Sequence, residues 1–224
     1  MIVTIDGPAG AGKSSIAHQV ADRLGFEFLD TGAMYRAVTL GAIRAHIKMQ
    51  DADALARYAA GVELSWENQK IYLNGEDVSV EIRTPTVTNS IRHLADLPCV
   101  RAELSRQQRK IAEGRNIVTE GRDQGTDVFP DAQCKVFLTA SPEERARRRQ
   151  QQLAESGRNL TMEEILVAQN QRDLEDRMRE VGRLRAAPDA VVVQSDGMTS
   201  EQVLHRVLEI VAARIEKQDA AGPR

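Results

Sequence analysis

The chain has 224 residues, 42% hydrophobic, 28% charged and 4% aromatic, enough apolar material to bury the core of one α/β or α-rich domain with a small insert. Its formal net charge of −3 excludes a broadly basic surface of the nucleic-acid-binding kind and leaves only a local anion site open. No run approaches the ~18 apolar residues of a membrane helix, no basic segment precedes an apolar one after Met1, and Cys99 and Cys134 form no paired motif, so a soluble, reduced, cytoplasmic protein is expected.

In chain order, the first apolar run, residues 2–5, leads through Asp6 into Gly7, Pro8, Ala9, Gly10, Ala11, Gly12, Lys13, Ser14 and Ser15. Residues 7–14 satisfy G-x-x-x-x-G-K-[ST] in the strand-loop-helix setting that the motif demands. The spacing has a chemical reason. Glycines let successive backbone N–H groups curl around an oxyanion, the helix N-terminus adds its positive end, Lys13 reaches β and γ phosphates, and Ser14 can ligate Mg2+. Ile16, Val20 and Leu24 then recur every fourth residue as the stripe a helix packs on a sheet, and Gly25 fits its stop. A glycine-rich turn without a ligand is the plainer reading, and the strand before and helix after both count against it.

A second run, 26–29, opens onto Asp30-Thr31-Gly32-Ala33-Met34-Tyr35-Arg36, at the sheet edge where ligands of open α/β folds bind. Thr31 offers a hydroxyl and Arg36 a fork for a second phosphate. On local evidence Thr31 serves equally as a helix cap and Arg36 as a solvated side chain. Residues 61–114 break the rhythm: 62–66 and 70–73 flank Glu67-Asn68-Gln69 as a hairpin, and helices are predicted over 85–95 and 98–113, with Gly114 as a stop. We read 61–113 as an inserted subdomain.

The third run, 117–119, closes on Glu120-Gly121-Arg122-Asp123-Gln124-Gly125-Thr126, a cation and carboxylate beside two glycines. An ordinary turn with a surface ion pair is the plainer reading here. Runs at 136–138 and 191–193 alternate with helices whose starts are written in Ser141-Pro142-Glu143-Glu144, Thr161-Met162-Glu163-Glu164 and Thr199-Ser200-Glu201-Gln202. The polar stretch 150–161, with Gly157, reads as a mobile loop, and 218–224 as a flexible tail. Arg145-Ala146-Arg147-Arg148-Arg149 hints at RNA, but Glu143 and Glu144 dilute it and no aromatic platform accompanies it, so no nucleic-acid partner is expected. Alternating strands and helices predict a doubly wound parallel sheet.

A phosphate loop names the donor and not the reaction, and no Asn-Lys-x-Asp guanine-reading motif is present. The motif blocks together are more specific: residues 5–14, Leu29 with 30–36, Gly75-Glu76-Asp77-Val78-Ser79 with Glu81-Ile82-Arg83-Thr84, Gly121-Arg122-Asp123-Gln124-Gly125-Thr126 with Val128-Phe129-Pro130-Asp131, and Ser141-Pro142-Glu143-Glu144-Arg145. In these the chain resembles the bacterial cytidylate kinases, a branch of the nucleoside monophosphate kinases, over nearly its whole length. The resemblance implies a P-loop NTPase fold, an α/β architecture with a five-stranded parallel sheet and flanking helices. Its core would be 1–60 and 114–217, with a small α+β monophosphate-binding insert at 61–113 and a mobile lid at about 150–184. It implies ATP as donor with Mg2+, CMP or dCMP as acceptor, ADP and CDP or dCDP as products, no membrane partner, and a monomer.

By motif position, Arg36, Arg122 and Arg179 resemble the family's arginines around the acceptor phosphate, Arg172 its lid arginine, and Asp176 the carboxylate near the ribose. Arg101 and Asp123 resemble its contacts to cytosine, whose N4 amino group suits Asp123 and whose N3 and O2 suit Arg101. Arg172, Asp176 and Arg179 follow i, i+4, i+7, so one helix face can present all three. A solvated charged helix is the plainer reading of that run. The chain departs from the pattern at Glu120, where relatives often carry Asp, at Arg92, where some place Ser, and at Gly182-Arg183-Leu184. The competing readings are a kinase for UMP, AMP or shikimate, and a nucleotide-dependent RNA-associated regulator.

Overall fold

The structure, a computed structural model, describes residues 1–155 and 157–220. Its elements in order are β1 (Ile2–Asp6), α1 (Lys13–Leu24), β2 (Glu27–Leu29), α2 (Thr31–Arg44), α3 (Ala52–Gly61), β3 (Leu64–Glu67), β4 (Lys70–Leu73) and β5 (Glu76–Asp77). There follow α4 (Pro85–Ala95), α5 (Pro98–Ala112), β6 (Ile117–Gly121), β7 (Cys134–Thr139), α6 (Pro142–Glu155), α7 (Met162–Met178), β8 (Val191–Gln194) and α8 (Ser200–Ala220). Each of the five apolar runs is a strand, and together they make one five-stranded sheet in the order β2-β6-β1-β7-β8. β1 runs parallel to β6 and β7, and β7 to β8. Val3, Ile5, Ile117, Val118 and Leu138 are fully buried, as strands covered on both faces require.

By compactness the chain forms two units, one of residues 1–26 with those from Ile117 onward, the other Glu27–Asn116. In the first, α1 buries Ile16, Ala17, Val20 and Ala21, while Leu24, the third expected contact, is only partly covered. Its helix starts follow the written signals. Glu144 N–H donates to Ser141 Oγ, and the Thr161/Glu164 and Thr199/Gln202 pairs exchange reciprocal hydrogen bonds. α6 and α7 close around Ala146, Leu153 and Ile165.

Two expectations change. The stretch 150–161 is helical through Glu155, because Leu153 is needed in that apolar contact; Gly157 takes φ +75°, and the Arg158 N–H returns to the Leu153 carbonyl. The tail expected over 218–224 is helical as far as Ala220, and 221–224 lie outside the described residues.

In the second unit β3, β4 and β5 form an antiparallel sheet, turned by Asn68 and Gln69 with φ of +51° and +60°, the two positive angles of a tight hairpin turn. α4 and α5 occupy the predicted spans, each with proline in its first turn. The insert expected from Gly61 sits inside a unit that begins at Glu27. α3 was not foreseen: it is capped by Asp51, which accepts the Ala54 N–H at 2.9 Å, and buries only Leu55 and Ala59, too thin a stripe to register as a period.

Candidate active site

β1 delivers Asp6 to the sheet edge, beside Gly121 on β6 and Phe137 on β7. Gly7 follows at φ +151°, and a Cβ there would stand 1.9 Å from the Leu138 carbonyl oxygen, so the turn admits glycine alone. The loop ends at Gly12, φ +87°, and α1 starts on Lys13 with no side-chain cap and no acidic residue in its first turn. Its opening N–H groups therefore keep the positive helix end available to an anion. The Lys13 side chain is 5% exposed; its Nζ donates to the Pro8 carbonyl at 2.9 Å and stands 4.0 Å from Glu120 Oε2. Burial pushes the Lys13 pKa down to about 7, and Arg122 and Arg172 add to the shift while Glu120 and Asp6 oppose it.

The carboxylate of Asp6 accepts the N–H groups of Gln124 (2.9 Å) and Gly125 (2.7 Å), which grips the short π-type turn Gln124–Val128 and fixes the strand end carrying Arg122 and Asp123. Burial drives the Asp6 pKa up to about 7 against those two hydrogen bonds. Asp123 itself is 4% exposed. Ser14 Oγ donates to Glu120 Oε1 at 2.9 Å. A hydroxyl and a carboxylate oxygen so placed suit a hard cation that takes its remaining ligands from phosphates and water, as Mg2+ does. No group of three or more His, Cys, Asp or Glu side chains able to hold a metal occurs among the described residues.

On α7, buried Asp176 takes Arg122 Nε on Oδ2 at 2.8 Å and Arg179 Nη2 on Oδ1 at 2.9 Å. Burial alone would raise its carboxyl; the charges of Arg122, Arg179 and Arg172 and the Arg122 hydrogen bond outweigh it and hold the pKa below its ordinary value. Arg172 and Asp176 lie within α7, but Arg179 falls just past its last helical residue, so the one helix face expected to present all three carries only the first two. Arg172 is exposed yet within the electrostatic reach of both Lys13 and Asp176. Ala11 and Gly12 of the loop and Ser15 of α1 line a cavity of about 300 Å³, together with Arg148 and Met198.

The second unit holds Thr31, Arg36 and Arg101. Asp30 caps α2, accepting the Ala33 N–H at 2.9 Å, which relieves Thr31 of the capping role; Thr31 is 6% exposed. Arg36 Nη1 donates to Thr88 Oγ1 at 2.7 Å. The Arg101 guanidinium, also buried, lies 5.5 Å above the Tyr35 ring and donates to the Ala95 carbonyl at 3.1 Å, a cation–π contact. Tyr35 is one helical turn after Thr31. Sequence reasoning passed over Asp6 and Glu120 as working groups, although a carboxylate closing an apolar strand run was the signal; it placed Arg145 in a motif block without giving it a role, and it passed over Asp173, which left no signal.

Comparison with known proteins agrees across the chain. The family model described as cytidylate kinase matches residues 3–213. A cytidylate kinase of Rhodopirellula baltica is 64% identical over 220 residues, 98% of this chain and 96% of its own. One from Caldanaerobacter subterraneus subsp. tengcongensis is 44% identical over 93% of each chain. Among solved structures, the shikimate kinase of Bacteroides thetaiotaomicron superposes with a TM-score of 0.50 at 13% identity, covering 96% of this chain and 98% of its own, a likeness of fold.

Proposed function

The chain belongs to the cytidylate kinase family, and we propose that, as an ATP-dependent phosphotransferase, it moves the γ-phosphoryl of ATP onto the 5′-phosphate of CMP or dCMP. An oxygen of the acceptor phosphate attacks the γ-phosphorus in line as the bond to the β,γ-bridging oxygen breaks, and that oxygen leaves with ADP; the products are ADP and CDP or dCDP. The nucleophile is already an anion, so no general base is needed. Positioning and charge neutralisation carry the rate.

The observation that supports this most is the convergence of cations on the phosphate loop. After burial, Arg122 and Arg172 lower the Lys13 pKa further, and Arg122 and Arg179 share the Asp176 carboxylate, so cations gather where a polyanion would sit. Residues 7–15 wrap the donor phosphates, Lys13 bridges the β and γ groups, and Arg122, Arg172 and Arg179 gather on the transferring phosphoryl group, where charge spreads in the transition state. Mg2+ on Ser14, with Glu120 adjacent, would neutralise phosphate charge and orient the donor. The cavity beside Gly12 and Ser15 has room for the donor base.

For the acceptor, Thr31 and Arg36 take its phosphate and Asp176 its ribose, while Asp123 accepts from cytosine N4 and Arg101 donates to the ring acceptors. Uracil would present a carbonyl to Asp123, a buried mismatch worth about 1–3 kcal/mol, or roughly ten- to a hundredfold. A cytoplasmic monomer is the working form we infer. ADP release measured with CMP, dCMP, UMP and AMP in turn should be fastest with the two cytidine nucleotides; faster turnover of UMP or AMP would refute the assignment.

A further inference from the structure

Arg145 joins three parts of the first unit through one guanidinium. Its Nε donates to the Ala140 carbonyl just past β7 (3.1 Å), its Nη1 to the Ala9 carbonyl at the crest of the phosphate loop (2.9 Å), and its Nη2 pairs with Asp173 Oδ2 on α7 (2.8 Å). The two side chains are 4% and 5% exposed. Asp173 Oδ1 is buried with no hydrogen-bond partner among the described residues. A pair so placed is a poor stabiliser, because desolvating both charges offsets their attraction and well-packed apolar side chains would serve as well.

Placement accounts for what stability does not. Along the inner face of α7, Gln169 Nε2 donates to the Pro142 carbonyl at 3.0 Å, Asp173 grips Arg145, and Asp176 takes Arg122 and Arg179. The loop crest also abuts Arg145 directly, since a Cβ on Gly10 would stand 3.3 Å from Arg145 Cβ. We propose that Asp173, acting through Arg145, is a positioning residue for phosphoryl transfer. The pair sets the distance from the phosphate loop to the α7 segment that carries Arg172 and Arg179. This inference rests on the functional reading above.

Asp173→Asn keeps the shape and removes the charge. We expect kcat for CDP formation to fall about ten- to a hundredfold, the cost of misplacing groups by about 1 Å, with KM for ATP and CMP within about threefold of wild type. The ratio of ADP to CDP should rise above unity, because a displaced α7 admits water to the donor. A second protein, with Arg145→Met and Asp173→Leu together, refills the site with apolar side chains; it should unfold cooperatively a few degrees below wild type, because the Ala140 and Ala9 carbonyls lose their donor, and be equally slow. If Asp173→Asn fails to fold, the double variant decides alone. Wild-type kcat with an ADP:CDP ratio of one in either folded variant overturns the proposal. A wild-type chain that forms no CDP overturns the functional reading, and the inference falls with it.

Discussion

Asp6 and Lys13 are both buried and both titrate near pH 7, having reached it from opposite sides: burial raises the carboxyl from 3.8 and lowers the ammonium from 10.5. The consequences for stability follow from proton counts. Between pH 3.8 and about 7 the folded chain holds a proton on Asp6 that the unfolded chain releases, so the contribution of Asp6 is complete below that window and lost as pH rises through it. Between about 7 and 10.5 the unfolded chain holds a proton on Lys13 that the folded chain releases, so stability falls as pH drops through that range. Asp6→Asn should therefore flatten the acid limb of the nucleotide-free stability profile, while the alkaline limb persists and reaches to slightly lower pH, because the Asp6 charge that helps hold the Lys13 pKa up is gone. Denaturant titrations across pH read this directly, and an unaltered acid limb would contradict the account. Thr31 shows a complementary lesson at the same scale. Its hydroxyl and that of a helix cap look alike in sequence, and only the Asp30 to Ala33 hydrogen bond separates the two roles.

Helix starts were readable because a cap is a transaction among four neighbouring residues: Ser141, Thr161 and Thr199 each bond within three positions. The phosphate loop is similarly local, yet one of its constraints is not. Gly7 is required by the Leu138 carbonyl on β7, 1.9 Å from where a Cβ would stand. Gly7→Ala should cost at least ~3 kcal/mol, lowering the unfolding midpoint by about 6–12 °C for a chain of this length. Gly61→Ala provides the contrast. It closes α3, meets nothing within 4 Å and has no positive φ, so it should be neutral or stabilise by up to ~1 kcal/mol. Thermal unfolding of the two variants side by side checks both, and equal midpoints would refute the steric argument. α3 itself escaped notice because two buried residues give no usable period, and the end of α6 was placed early because a polar sequence conceals the single apolar anchor at Leu153.

For the molecule as a whole, a ligand that binds only the folded chain adds RT ln(1 + [L]/Kd), about 2.7 kcal/mol at a hundredfold excess over Kd, or a midpoint rise of about 5–11 °C at this size. Mg·ATP should produce that rise in the wild type, and Lys13→Ala should abolish most of it; an undiminished rise would remove Lys13 from the donor site. The sequence by itself determined the donor chemistry, every strand but the two-residue β5, most helices and the family, because a phosphate loop, an apolar strand run and a capping box are each written in contiguous residues. Only the tertiary structure decided which charges meet. Ser14 reaches Glu120, Asp6 reaches Gly125, Arg122 reaches Asp176 and Arg145 reaches Ala9, across separations of 106, 119, 54 and 136 positions. Local propensity carries no information over such spans; parallel strand pairing and the packing of α6 against α7 set those distances, and with them the electrostatics of the site.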